Sequence, residues 1–82
     1  MVDIKVVGPG CSKCVELHER VKKVVVEMAV EAEVSKISDY AEIAKAGVFM
    51  TPGLIINGKV VLQGKLPSEG IIKDLIAETM KS

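Results

Sequence analysis

Cys11 and Cys14 are the only cysteines in the chain, and they directly follow the turn-forming segment Gly8-Pro9-Gly10. Two intervening residues leave the sulfurs close enough to join as a disulfide without distorting the first turn of a helix. At a helix N-terminus, unpaired backbone N–H groups and the positive end of the macrodipole favour a thiolate over a thiol. Thiolates attack disulfides and bind soft metals. The pair therefore predicts thiol–disulfide exchange or, as an alternative, metal binding or redox sensing.

Cys11 is expected to be the nucleophile because it precedes the first full helical turn, whereas Cys14 projects onto the apolar side that carries Leu17. A free thiol with a pKa near 8.5 is only about 3% thiolate at pH 7, and a pKa of about 7 would make it roughly half thiolate. That change corresponds to about 2 kcal/mol. A helix N-terminus supplies roughly 0.3–1 kcal/mol of it, which leaves Lys13 and the backbone N–H groups of Ser12, Lys13 and Cys14 as candidates for the remainder.

Hydrophobic periodicity places the cysteine pair between a first strand and a first helix. Asn57-Gly58 predicts a type I′ hairpin turn, Ser38 or Asp39 is expected to cap the second helix, and Ser68 the last one. The predicted strands are Asp3–Val7, Glu33–Ile37, Gly53–Ile56 and Lys59–Leu62. The first predicted helix runs from Ser12 to about Val30. The second helix, after its cap, ends at Ala46, and the last helix starts at Pro67-Ser68-Glu69. This is an α/β chain of order β-α-β-α-β-β-α.

The composition predicts one small cytoplasmic domain spanning residues 1–82. The chain is 49% hydrophobic and only 2% aromatic, so its core should be mostly aliphatic. Eleven basic and eleven acidic residues cancel, and we expect neither a nucleic-acid nor a membrane partner. The N-terminal residues lack a signal-peptide pattern, and no apolar run approaches the roughly 20 residues that span a bilayer. In the reducing cytoplasm, a lone cysteine pair is expected to be catalytic or metal-binding rather than a permanent structural disulfide.

Four features, in this order along the chain, together resemble the thioredoxin family, and most closely its small thioredoxin-like and glutaredoxin-like redox proteins of archaea and bacteria. These features are Gly10-Cys11-Ser12-Lys13-Cys14, Met50-Thr51-Pro52-Gly53, the Asn57-Gly58 hairpin and Gly64. The resemblance covers essentially the whole chain. It implies a thioredoxin-like fold in which a four-stranded mixed sheet is flanked by three helices.

The resemblance also implies a protein dithiol–disulfide oxidoreductase that acts as a reductant. Cys11 matches the attacking cysteine of the family and Cys14 the resolving one, so the implied redox centre is a Cys11–Cys14 disulfide with no metal or organic cofactor. Pro52 matches the cis-proline beside the cysteine pair, and Thr51 matches the residue whose backbone pairs with the substrate. The residues implied to support the site are Gly10, Ser12, Lys13 and Gly64. The implied partners are protein disulfides and a thioredoxin-reductase-like electron donor.

Several positions depart from the family's pattern. The chain has no tryptophan, places Gly10 before the first cysteine and has Ser12-Lys13 where thioredoxins have Gly-Pro, so their reduction potential does not transfer to it. Lys5 stands where full thioredoxins keep a buried acid, and Asp3 is the nearest acid upstream. The residues after Gly64 lack the glutathione-binding turn of glutaredoxins, which favours a protein disulfide as substrate.

The metal-binding alternative uses the same two sulfurs, since thiolates bind Cu(I) and Zn(II) well. Soft-metal chaperones place a hairpin between their two helices, whereas here the hairpin follows the second helix. A closed zinc site usually needs four ligands, and the chain has no further cysteine. His18 is expected to be a half-buried edge residue rather than a third ligand or a base. Tyr40 and Phe49 are expected to serve in packing, with Phe49 and Met50 forming an apolar rim near the site.

Overall fold

The elements follow one another in the predicted order, β-α-β-α-β-β-α. The computed structural model describes residues 2–10 and 12–81, and Met1, Cys11 and Ser82 lie outside them. The elements are β1 (Val2–Val7), α1 (Ser12–Met28), β2 (Ala32–Ile37), α2 (Tyr40–Lys45), β3 (Gly53–Ile56), β4 (Lys59–Gln63) and α3 (Glu69–Lys81). The strands form one mixed sheet in the order β2-β1-β3-β4. The predicted thioredoxin-like architecture is therefore confirmed.

The central strand of the sheet, β1, fixes where the chain segments after it meet. It pairs parallel with β2 and antiparallel with β3, and β4 pairs antiparallel with β3. In this register Val7, the last residue of β1, lies opposite Ile37 at the end of β2 and opposite Gly53 at the start of β3. The residues that follow Val7 and Ile37 and those that precede Gly53 therefore adjoin at one end of the sheet.

Helices cover both faces of the sheet, and successive side chains of β1 point to opposite faces. Ile4 and Val6 pack on the face that carries α1 and α3, whereas Val7 packs on the opposite face with α2. The larger cluster contains Val2, Ile4, Val6, Leu17, Val21, Val24, Leu54, Ile56, Ile72 and Ile76, and the smaller one contains Val7, Ile43, Val48 and Ile55. The helix that carries Cys14 in its first turn, α1, is thus anchored along its length in the larger core.

The first helix ends at Met28, earlier than the predicted end near Val30. Ala29 adopts a φ of 53°, in the left-handed region. Its N–H donates to the Val26 carbonyl at 3.1 Å, and the Val30 N–H donates to the Val25 carbonyl at 3.2 Å. This hydrogen-bond pair is a Schellman-type helix end, with alanine at a position that glycine usually occupies. Because no glycine marks this position, the sequence pattern predicted a helix that extends about two residues too far.

The predicted helix caps are confirmed. Asp39 caps α2, since its Oδ1 accepts a hydrogen bond from the Ala41 N–H at 3.1 Å, so Asp39 rather than Ser38 has this role. Ser68 caps α3, and its Oγ accepts from the Ile71 N–H at 3.4 Å. Among the described residues, no helix combines the length and the apolarity needed to cross a membrane.

The Asn57-Gly58 hairpin is also confirmed. The two residues have φ values of 51° and 82°, as a type I′ turn requires. Asn57 is tied to the start of β1, because its Oδ1 accepts from the Asp3 N–H at 2.9 Å and its N–H donates to the Asp3 carbonyl at 2.7 Å. Asp3 therefore lies at the hairpin end of the sheet, roughly 13 Å along β1 from Val7 at about 3.3 Å per residue.

Candidate thiol site

The end of β1 brings three chain segments together. Gly8 follows Val7, and its N–H donates to the Ile37 carbonyl at 2.8 Å, which holds the turn before α1 beside the end of β2. On the other side of β1, Pro52 immediately precedes Gly53, the residue opposite Val7. The turn that leads into the cysteine pair, the end of β2 and the segment before β3 are therefore neighbours.

Cys14 lies in the first turn of α1 and is only 5% exposed, which confirms that it faces the apolar side. Its side chain packs over the backbone of Gly8. A Cβ added at Gly8 would overlap the Cys14 Sγ, and it would lie 2.9 Å from the Cys14 Cβ and 3.9 Å from the Thr51 Cβ. Position 8 therefore leaves room only for glycine, and Thr51 borders the same space. The sequence pattern indicated Gly8 as a turn residue but not as a neighbour of the sulfur.

Cys11, the predicted nucleophile, lies outside the described residues, so the predictions for it stay predictions. Its neighbours in sequence are described. Gly10 has a φ of 97°, a conformation that favours glycine, and this explains a glycine directly before the pair. Ser12 and Lys13 begin α1 and are exposed. The described residues on both sides of position 11 thus lie at the surface, whereas Cys14 is buried.

The segment before β3 reaches the thiol site through Thr51, whose Cβ borders the space over Gly8. The Thr51–Pro52 peptide bond is cis, as expected, and Pro52 is buried while Thr51 is exposed. The Pro52 carbonyl accepts a hydrogen bond from the Gly64 N–H at 2.9 Å. Gly64 has a φ of 76°, and Met50 packs so closely on it that an added Cβ would lie 3.1 Å from the Met50 Cβ. Gly64 therefore holds the segment 50–52 from the end of β4.

A cavity of about 290 Å³ lies beside Cys14. The turn before α1 forms one wall, and Lys36 and Ser38 from the end of β2 form another. Lys36 carries the only charge among the described residues that line the cavity. Neither Lys36 nor Ser38 was predicted as a site residue, although parallel pairing of two strands that end at Val7 and Ile37 would have indicated both.

The acid nearest upstream in the sequence does not lie near the sulfur. Asp3 is at the hairpin end of β1 and forms an ion pair with Lys5, with 3.9 Å between Oδ2 and Nζ. The described residues that line the cavity beside Cys14 include no carboxylate. Asp3 is therefore not in a position to accept the proton of the Cys14 thiol.

His18 lies one turn after Cys14 on α1 and lines a groove against β2 that Cys14 does not line. Its half-burial is as predicted. This partial burial is the largest cause that lowers the pKa of His18 below its usual value of 6.5, and the positive charges of Lys36 and Lys22 lower the pKa further. The carboxylate of Glu19 opposes them.

His18 is expected to make the protein less stable as the pH falls. The unfolded chain takes up a proton near the ordinary pKa of 6.5, whereas folded His18 resists protonation to a lower pH. The free energy of unfolding therefore falls across this interval, and the loss is complete below the folded-state pKa. Urea denaturation at about pH 7.5 and about pH 5.5 should show a larger drop for the wild type than for His18→Gln. An equal drop in both proteins would contradict the lowered pKa.

The expectation that Tyr40 and Phe49 serve in packing is wrong. Tyr40 is 74% and Phe49 is 87% exposed. The second helix is six residues long, and Ile43 rather than an aromatic residue is buried from it. The predicted apolar rim does exist, because Phe49 and Met50, which is 61% exposed, directly precede Thr51.

A four-stranded mixed sheet in this topology, with a buried cysteine at the start of the first helix and a cis-proline before the third strand, defines the thioredoxin-like class. The thioredoxin domain family matches residues 2–77. A thioredoxin from Methanocaldococcus jannaschii is 45% identical over 74 residues, which cover 90% of this chain and 85% of that protein. A thioredoxin from Methanothermobacter thermautotrophicus is 31% identical over 77 residues, which cover 94% of this chain and 100% of that protein.

The chain therefore belongs to the thioredoxin domain family. The resemblance that the cysteine pair, the Thr51-Pro52 step and the late hairpin predicted is confirmed. Membership in this family supports a function of the thiol–disulfide oxidoreductase kind.

Proposed function

We propose that the chain is a dithiol–disulfide oxidoreductase that reduces protein disulfides, with Cys11 as nucleophile and Cys14 as resolving thiol. The observation that supports this most strongly is the burial of Cys14 against Gly8 and beside Thr51, at the start of α1. A buried sulfur is shielded from external disulfides. We infer that it acts on the mixed disulfide formed at Cys11, three residues earlier in the sequence, which is the task of a resolving thiol.

The proposed reaction consists of two exchanges. The Cys11 thiolate attacks one sulfur of the substrate disulfide, so that a mixed disulfide forms and the other substrate sulfur leaves as a thiolate. The Cys14 thiolate then attacks the Cys11 sulfur, forms the Cys11–Cys14 disulfide and releases the second substrate thiolate. Two electrons pass to the substrate, and the two released substrate thiolates take up the two protons that the cysteines give up. A two-electron donor of the thioredoxin-reductase kind would restore the dithiol.

The remaining site residues have supporting roles in this proposal. The exposed Thr51 offers its backbone to an extended substrate segment, and Pro52 shapes that backbone next to Cys14. Lys13 adds positive potential near the nucleophile, and the backbone N–H groups of the first helical turn stabilise its thiolate. Those with a mainly structural role are Gly10, Ser12 and Gly64.

The proposal requires no metal and no organic cofactor, because the electrons come from the two thiols. We place the reaction in the cytoplasm, within a single domain spanning residues 1–82, and without a nucleic-acid or membrane partner. A reducing compartment keeps the cysteine pair available as a dithiol between turnovers.

Reduction of insulin tests the proposal. With dithiothreitol as donor, the protein is expected to accelerate precipitation of the insulin B chain well beyond the rate with dithiothreitol alone, because the activated thiolate attacks faster than the small thiol. The alternative, a Cu(I)- or Zn(II)-binding or redox-sensing module, predicts the opposite result. In that case freshly purified protein would hold stoichiometric metal and would leave the rate of precipitation unchanged.

A further inference from the structure

The cavity beside Cys14 leads from the buried sulfur to the surface. Cys14 and Val6, which line it, are buried, whereas Pro9, Gly10 and Lys36, which also line it, are exposed. Its volume of about 290 Å³ is well above the roughly 10–15 Å³ that a cavity needs to hold one water molecule. The cavity can therefore bring water to the sulfur.

The side chain of Lys36 extends from the edge strand β2 toward the start of α1. Lys36 pairs with Val6 in the register of the sheet, and Val6 packs on the face that carries α1. After partial burial, the charge of Lys36 is the largest cause that lowers the pKa of His18, one turn after Cys14. None of the ion pairs among the described residues involves Lys36. Its positive charge therefore acts on the first turns of α1 without a carboxylate to neutralise it.

Lys36 is the charge best placed to compensate for the burial of the sulfur. Burial raises the pKa of a thiol because it disfavours the thiolate, and a nearby positive charge lowers that pKa. The other titratable side chains within one turn of the sulfur on α1, or beside Val6 on β1, are Cys11, Lys13, Glu16, His18 and Lys5. Those among them that the structure describes do not line the cavity, and the segment 50–52 carries no charge.

We infer that Lys36 is a positioning residue for the second exchange, in which its ammonium group stabilises the thiolate of Cys14 from the wall of the cavity. The inference rests on the proposed function. The Cys14 thiol gives its proton to water in the cavity, and the thiolate attacks the Cys11 sulfur. The bond between Cys11 and the substrate breaks, and the substrate sulfur leaves as a thiolate that takes up a proton from water. This step needs no carboxylate base, in agreement with the described lining of the cavity.

A single-turnover reaction of the reduced protein with dithiodipyridine, an uncharged disulfide whose release as thiopyridone is followed by absorbance, tests the inference. Attack by Cys11 releases the first thiopyridone at a rate that depends on the reagent concentration, and attack by Cys14 releases the second at a rate that does not. Lys36→Met is expected to slow the second release about three- to tenfold at about pH 7, because less Cys14 is thiolate. The pH profile of the second release should move to higher pH.

Two further substitutions at position 36 and one control separate the charge from the side chain's packing. Lys36→Arg keeps the charge and should keep the wild-type pH profile, whereas Lys36→Glu should slow the second release more than Lys36→Met does. Lys22→Met is the matched control, because Lys22 is an exposed lysine of α1 that does not line the cavity. It should change the rate of the second release by less than about twofold.

A wild-type pH profile of the second release in Lys36→Met would overturn the inference, and so would an equal shift in Lys22→Met. A loss in Lys36→Arg as large as in Lys36→Met would overturn it as well, because the charge would then not be the cause. If the wild type showed no second release that is independent of the reagent concentration, the proposed function itself would be rejected.

Discussion

Cys14→Ser is expected to convert turnover into a trapped mixed disulfide between Cys11 and the substrate. The first exchange needs only the nucleophile, whereas release of the bound substrate needs the second sulfur. Mixing reduced Cys14→Ser protein with a protein disulfide should yield a covalent adduct that is visible on a non-reducing gel and disappears with dithiothreitol. Multiple turnover should fall by about a hundredfold or more, since the two cysteines act as a unit.

The companion variants separate this mechanism from a loss of folding. Cys11→Ser should form no adduct and should be equally inactive, because the remaining sulfur is 5% exposed. Cys14→Ala should trap the adduct as Cys14→Ser does, and it avoids placing an unpaired hydroxyl at a buried position. Thermal unfolding of all three proteins would show whether they are folded. Full turnover in Cys11→Ser would reject the assignment of the nucleophile, and absence of an adduct with folded Cys14→Ser and Cys14→Ala would reject that of the resolving thiol.

Local signals were sufficient to predict the elements that carry the site. The periodicity of α1 marked Cys14 as buried, and Asn57-Gly58 marked the hairpin, because both patterns depend on residues close in sequence. The Thr51-Pro52 step and Gly64 were located by resemblance to the family. The exception among the local features is Ala29, whose left-handed conformation ends α1 without the glycine that would signal it.

The contacts that the sequence did not indicate depend on register between distant segments. Lys36 and Ser38 reach the cavity beside Cys14 only because β2 and β1 end side by side. Tyr40 and Phe49 were assigned to packing from their residue types, since aromatic rings usually contribute to a core. Both rings are nevertheless exposed, and the Phe49 backbone is held by a side chain at the end of β4.

Gly8→Ala is expected to disrupt the site more than the same change at any other glycine. The new Cβ would overlap the Cys14 Sγ and lie 2.9 Å from the Cys14 Cβ, so the first turn of α1 or the end of β1 must shift. Both of these segments are anchored in the core, so a shift of either one is energetically unfavourable. Overpacking of this kind typically costs about 1–3 kcal/mol in the free energy of unfolding. Urea denaturation of the reduced protein should show this loss, and insulin reduction should slow as the two cysteines are displaced.

Gly70→Ala is the control for adding a methyl group to a glycine without crowding. A Cβ at Gly70 would meet only the Ser68 Oγ, at 3.9 Å, and the position lies within α3, so the variant should be unchanged or gain up to about 1 kcal/mol. Adding Cys14→Ala to Gly8→Ala removes the overlapped sulfur, and the double variant should lose less stability than the sum of the single losses. Additive losses, or a Gly8→Ala protein as stable as the wild type, would mean that the Cys14 side chain does not occupy the space over Gly8. The cost of an alanine at position 8 is therefore a direct measure of how tightly the fold holds the proposed resolving sulfur against the end of β1.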